Sequence, residues 1–169
     1  MEKTNIRMRK YQPQDIYFLF ENSNHFNLPQ IAAINCDSDF RKELEYSLRT
    51  YIHDFFIFEE SDKKNPIGFI YSYDFRLYDA HSCFNYYLQV KDSEDKLIEE
   101  FIEGMFCEYA VNKLFIYLSE SQIKKQNAIK QLGFCREAIL KEYKFESGKY
   151  VDVFVYGYEK KDIMGDYYG

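Results

Sequence analysis

CFNYYLQV (83–90), KDSED (91–95), KLIEEFIEGMFCEYA (96–110) and LFIYL (114–118) are consecutive pieces of one stretch, and their succession decides the fold. The first piece is rich in aromatic and apolar residues and reads as a strand. Residues 94–110 read as a helix, because Leu97, Ile98, Phe101, Ile102, Met105, Phe106 and Tyr109 recur three and four positions apart on one stripe. Five apolar residues at 114–118 make a buried strand. A strand, a helix and a second strand in that order form a crossover unit.

Working outward from this unit, residues 6–11 alternate Ile6 and Met8 with Arg7 and Arg9, which predicts a first strand. Pro13 ends it, and Asp15 opens a short helix through Phe18 and Leu19. Residues 23–38 read as irregular, with Pro29 inside them. Asp37-Ser38-Asp39 is expected to cap a helix over 40–51 with Phe40, Leu44, Leu48 and Tyr51 on its apolar face. Strands at 54–58 and 67–73 flank a polar loop, 61–66, and read as a hairpin. After the crossover come a short polar helix, 121–132, and two strands, 134–145 and 151–158, joined at Ser147-Gly148. Seven strands in this order predict an α/β (α+β) fold, a mixed sheet with helices on both faces, in a single domain spanning 1–169.

Composition narrows the function classes. A hydrophobic share of 46% and a charged share of 30% are those of a globular chain. Seventeen Tyr and 16 Phe without Trp read as codon bias alongside abundant Ile, Lys and Asn, rather than as a stacking surface. Net charge is −6 and the basic residues are scattered, so nucleic acid is not an expected partner. Acidic balance favours cationic partners such as amines. No apolar run approaches the ~18 residues of a membrane span. The start, through Lys10, has no secretory core. The expected location is the cytoplasm, with Cys36, Cys83, Cys107 and Cys135 reduced. His25, His53 and His81 share no ligand spacing with the cysteines, so no metal site is expected.

Several local patterns resemble the GNAT acyltransferases, closest to the ribosomal-protein and spermidine N-acetyltransferase subgroup. Leu132-Gly133-Phe134 resembles the family's Leu-Gly-Phe at the end of its last helix. Glu137, Leu140, Gly148, Lys149, Tyr150, Val151 and Asp152 resemble the subgroup's closing pattern. Tyr87-Leu88-Gln89-Val90 resembles the strand that leads to the acetyl-CoA loop, and Ile6-Arg7-Met8-Arg9 with Asp15 resembles the opening. The resemblance implies acetyl-CoA or another acyl-CoA as a substrate. Its contacts would fall on Leu88, Gln89 and Val90, on Lys96, Leu97 and Ile98 at the start of the following helix, and on Gln122 and Lys125 of the last helix. It implies a small-molecule or protein amine as acceptor, no membrane, and a homodimer as a candidate assembly.

The sequence departs from the family at two places. The family's phosphate loop is basic and glycine-rich, whereas Lys91 to Glu100 has no glycine and carries Asp92, Glu94, Asp95, Glu99 and Glu100. A carboxylate about 6 Å from a phosphate, at an effective dielectric near 20, opposes it by roughly 3 kcal/mol before salt screening. These acids also suit a helix N-terminus without any ligand. Where the family places a tyrosine acid, four residues before Gly133, stands Ile129, which transfers no proton. Asn127 sits at the wrong spacing to replace the family's pantetheine-binding asparagine, which aligns with Gln122. His81 is a candidate base, though a lone loop histidine is more often simply solvated. Cys83 and Cys135 read as small apolar fillers, and Tyr86, Tyr87 and Tyr117 as strand aromatics. No catalytic residue is assigned. The readings carried forward are an N-acyltransferase, a catalytically degenerate domain of the same fold serving as a binding or regulatory protein, and an unrelated structural α/β domain.

Overall fold

Alternating side chains become strands and the stripe at 94–110 becomes a helix. The computed structural model describes residues 5–32, 34–89 and 94–160. Its elements, in order, are β1 (Ile6–Lys10), α1 (Ile16–Glu21), α2 (Pro29–Ala32), α3 (Asp37–Thr50), β2 (Ile52–Glu60), β3 (Pro66–Arg76), β4 (His81–Leu88), α4 (Glu94–Glu108), β5 (Lys113–Ser119), α5 (Ile123–Gln131), β6 (Cys135–Glu146) and β7 (Lys149–Glu159). Contacts gather them into two compact units, the first from 1–75 with 83–98 and the second from 76–82 with 99–169. In sheet order the first unit supplies β1-β2-β3-β4 and the second β5-β7-β6.

In the first unit β1, β2 and β3 pair antiparallel, with Met8 opposite Phe58 and Ile57 opposite Phe69. Phe55 and Ile57 of β2 and Phe69 and Tyr71 of β3 point to one side, where they form a core with Ile16, Leu19, Phe26, Ile31, Phe40 and Leu44. That side is therefore covered by α1, α2 and α3. By the period-two alternation of strands, Phe58 and Ile70 point to the other side, and both are fully buried. Phe26 is the centre of the aromatic packing, stacked on Phe69 at 4.6 Å and on Tyr71 at 5.4 Å.

Two acids fix the start of the chain. Arg9 forks onto Asp15 at 2.7 and 2.8 Å and onto Glu59 at 2.5 Å, and Arg7 reaches Glu59 as well. Asp15 and Glu59 are almost wholly buried. The arginines hold the Glu59 carboxyl below its usual range against the opposing effect of burial. Lys10 pairs with buried Asp54 and lies over the Phe56 ring.

In the second unit β7 lies between β5 and β6 and is antiparallel to both, with Ile116 opposite Tyr156 and Ile139 opposite Phe154. α4 packs on β7 through the Phe106–Tyr158 ring pair. α5 ends as the Leu-Gly-Phe pattern requires. Gly133 has φ +92°, its N–H donates to Lys130 O at 3.0 Å, and Phe134 N–H donates to Ile129 O at 3.1 Å. This is the paired C-terminal motif in which a left-handed glycine satisfies the last carbonyls of a helix. Ser147 and Gly148 both have positive φ and close the β6–β7 hairpin.

Two local expectations change. α3 begins at Asp37, so the acids at 37 and 39 stand inside its first turn rather than capping it, and Cys36 holds the cap position. There they complement the helix dipole. Cys135 is exposed rather than a core filler, because it opens the edge strand β6, whereas Cys83 is buried.

Candidate functional site

The residues singled out by sequence fall on three pieces of structure: the end of β4, the start of α4 and the start of α5. At the end of β4, Leu88 is half-buried and Gln89 is exposed. The Gln89 N–H donates to Ile67 O at 2.9 Å. Val90 and Lys91 to Ser93, and with them Asp92 of the acidic loop, lie outside the described residues. Gly68 of β3 explains how this end is shaped. A Cβ there would lie 2.3 Å from Tyr87 O and 2.9 Å from Leu88 Cδ1, so only glycine lets β3 approach this segment so closely. Sequence reading passed over Gly68, although an isolated glycine inside a strand pattern is the available signal.

At the start of α4, Asp95 and Lys96 are exposed, while the side chains of Leu97 and Ile98 are buried. Leu97 and Ile98 are thus core residues of the helix stripe, and any ligand contact they make runs through the backbone. The first N–H groups of an α-helix have no intrahelical acceptor, which leaves them open to an anion.

At the start of α5 a hydrogen-bonded knot joins three elements. Ser119 N–H donates to Gln122 Oε1 at 2.9 Å, and Gln122 N–H donates back to Ser119 O at 3.0 Å. Gln126, almost fully buried, donates from Nε2 to Ser119 O at 2.9 Å and accepts from Tyr156 Oη at 3.1 Å. Gln122 is therefore used by its own turn, and Lys125 beside it is half-buried. Gln126 was not read from sequence as significant, because glutamine on a polar-looking helix carries no signal of burial. Nearby, Ser121 Oγ donates to Glu146 Oε2 at 2.8 Å. Lys144 pairs with the same carboxylate at 2.8 Å. These donors hold the Glu146 carboxyl below its usual range in spite of burial.

Ile129 is fully buried. Its side chain belongs to the packed core. His81 opens β4, edge-on to Phe115 at 5.7 Å. Seven residues of extended strand, about 23 Å, separate it from Leu88, so it does not serve that end of the strand.

One cluster at the end of β4 was not foreseen. Asn85 and Tyr87 of β4 and Tyr71 of β3 hold the short 3-10 turn Ser23–His25. Asn85 Nδ2 donates to His25 O at 2.9 Å and to Tyr71 Oη at 3.3 Å. Tyr71 Oη accepts from Asn27 N–H at 2.9 Å, and burial pushes its phenol well above the usual range. The His25 and Tyr87 rings stack at 3.9 Å. The signal was split across sixty residues of sequence, and only the fold joins it. Among the described residues no group of His, Cys, Asp and Glu is arranged to hold a metal ion, and no helix is long and apolar enough to cross a membrane.

No model of a known protein family matches the sequence, and no curated protein matches it. Solved structures do. The dodecameric spermidine N-acetyltransferase from Vibrio cholerae, in an intermediate state, superposes with a TM-score of 0.82 at 17% identity, covering 96% of this chain and 98% of that one. The spermidine N-acetyltransferase of the same organism in complex with CoA and spermine gives 0.80 at 17%, over 93% and 96%. A mutant form of the spermidine/spermine N-acetyltransferase SpeG from Vibrio cholerae gives 0.79 at 18%, over 92% and 95%. At such identities the likeness is one of fold, and it spans nearly the whole of both chains: this protein has the GNAT acetyltransferase fold.

Proposed function

We propose that the chain is an N-acyltransferase that moves an acetyl or other acyl group from acyl-CoA to a primary amine of a small molecule or protein. The observation that carries this reading is the near-complete likeness to an acetyltransferase structure that holds CoA and spermine. Net charge of −6 supports a cationic acceptor, which a negative protein field concentrates. The reading includes one functional domain over 1–169, a cytoplasmic location and a homodimer as the candidate assembly.

Within it, the backbone at Leu88, Gln89 and Val90 orients the thioester. Lys96 and the first backbone N–H groups of α4, near Leu97 and Ile98, meet the phosphates. Gln122 and Lys125 border the pantetheine arm. Acyl transfer of this kind draws mainly on proximity and orientation, so the loss of the usual acid at Ile129 lowers the rate without abolishing the reaction.

The test is release of free thiol from acetyl-CoA by the purified protein with a panel of amines headed by spermidine. Amine-dependent thiol release is the expected result. If no amine supports release while acetyl-CoA still binds, the chain is a binding or regulatory protein instead. If acetyl-CoA does not bind either, the acyl-CoA reading fails altogether.

A further inference from the structure

The turn Ser23–His25 displays an imidazole at the end of β4, and the fold holds it from three directions. The ring lies flat on Tyr87, with centroids 3.9 Å apart and planes within 10°. Its carbonyl is held by Asn85, and the N–H two residues later is held by Tyr71. Between them, Phe26 is sunk into the aromatic core. Asn85 and Tyr71 are 1% and 0% exposed. Burying an amide and a phenol costs free energy unless their hydrogen bonds are made. These two make theirs with backbone atoms on either side of Phe26, so their burial serves to fix one turn. His25 itself remains exposed, and its stacking partner Tyr87 immediately precedes Leu88 in β4.

We propose that His25 is the proton relay of the acyl transfer. This assignment rests on the N-acyltransferase reading. The neutral amine nitrogen forms a bond to the thioester carbonyl carbon, and the adduct carries a positive nitrogen and a negative oxygen. His25 takes a proton from that nitrogen. The C–S bond then breaks, the sulfur leaves with the electron pair, and the imidazolium gives it the same proton. The products are the amide and the CoA thiol, and the imidazole is returned unchanged. An imidazole with a reference pKa near 6.5 is suited to both halves of the transfer. One group thus covers the base and also the acid that Ile129 cannot supply. The titratable side chains packed on the turn from β3 and β4 are the Tyr71 and Tyr87 phenols.

The variants separate the aromatic surface of the ring from its proton. His25→Phe keeps an aromatic surface for Tyr87, and His25→Ala opens a space that added imidazole can fill. With acetyl-CoA and the best amine of the panel, both variants are expected to lose about 100-fold in kcat/KM. Calorimetric binding of CoA should be unchanged, which also reports that the variants fold. Added imidazole should restore His25→Ala and leave His25→Phe inactive. Wild-type kcat/KM in His25→Phe, or a His25→Ala defect indifferent to imidazole, would overturn the assignment while leaving the N-acyltransferase reading intact. Failure of the wild-type protein to release thiol with any amine of the panel would instead defeat that reading, and this assignment with it.

Discussion

Replacing Arg9 tests the most heavily charged part of the fold. Arg9 is the bidentate partner of Asp15, at 2.7 and 2.8 Å, and it shares Glu59 with Arg7. Both acids are about 1–2% exposed, so neither can turn to water when the guanidinium goes. Removing one partner from a buried pair costs about 3–5 kcal/mol. Two contacts survive in Arg9→Met: Arg7 stays on Glu59, and the Gln12 N–H stays on Asp15 at 2.8 Å. The guanidinium is also partly exposed. The lower end, about 3 kcal/mol at neutral pH, is therefore expected, and for a chain of this length it lowers Tm by roughly 6–12 °C.

The sign of the pH dependence follows from Glu59. Its folded pKa is depressed, so it contributes stability that is present above its unfolded pKa and lost as pH falls through the folded value. In Arg9→Met that contribution is smaller, and acid neutralises carboxylates that the variant leaves underpaired. The difference between the two proteins should be largest near neutrality and shrink as pH falls below about 4.5. Urea unfolding of both proteins across this range measures it. The control is Lys42→Ala, which removes a cation from the exposed Asp39 at 3.6 Å and should leave stability nearly unchanged. A difference below about 1 kcal/mol for Arg9→Met at pH 7 would refute the argument, since that is the size of a solvated surface pair.

Gly68→Ala drives a Cβ to 2.3 Å from the Tyr87 carbonyl, a backbone atom that cannot swing away. It should cost about 1–3 kcal/mol in denaturant unfolding and weaken acetyl-CoA binding through the displaced end of β4. Ile129→Tyr, which sequence alone would offer as a restored acid, instead overfills a fully buried site. Thermal unfolding should show a loss of about 1–3 kcal/mol, and kcat should not rise. Gln126→Leu takes the acceptor from buried Tyr156 Oη, while Ser119 O keeps the Gln122 N–H, at a cost of about 1–3 kcal/mol. Most of that cost should disappear when Tyr156→Phe is the background, a coupling that a double-mutant cycle reads directly.

The strands and helices were legible because each carries its own periodicity. The α4 stripe and the Leu132-Gly133-Phe134 stop are local patterns, and Gly133 takes the left-handed conformation that its position demanded. What sequence could not supply is burial by distant partners. Gln126 looks like any polar residue of a solvated helix until Tyr156, thirty residues on, is placed over it. Asn85 and Tyr71 read as ordinary strand residues, and their purpose appears only when the turn at His25 comes to rest on them. Residues 23–38, read as featureless, hold the 3-10 turn Ser23–His25 and the short helix Pro29–Ala32, because the signals for single helical turns are weak and tertiary packing decides them. Of the three histidines, His81 stands nearest in sequence to β4 and opens that strand edge-on to Phe115, whereas His25, sixty residues from Asn85 in sequence, lies on Tyr87 near the strand's other end.

The two departures from the family pattern bear on different steps. On the proposed reading residue 129 concerns the leaving group, and the isoleucine that stands there is buried in the packing. On the same reading the acids at the start of α4, Glu94 and Asp95, concern affinity for the phosphates, since a helix N-terminus is where an anion is held. On the proposed reading the thioester is oriented mainly by backbone, which substitutions at both places leave intact. The proton transfers are then assigned to the imidazole whose turn two buried polar residues hold near the end of β4. The rate of acyl transfer should accordingly respond to His25 far more than to any substitution at Ile129 that preserves the fold.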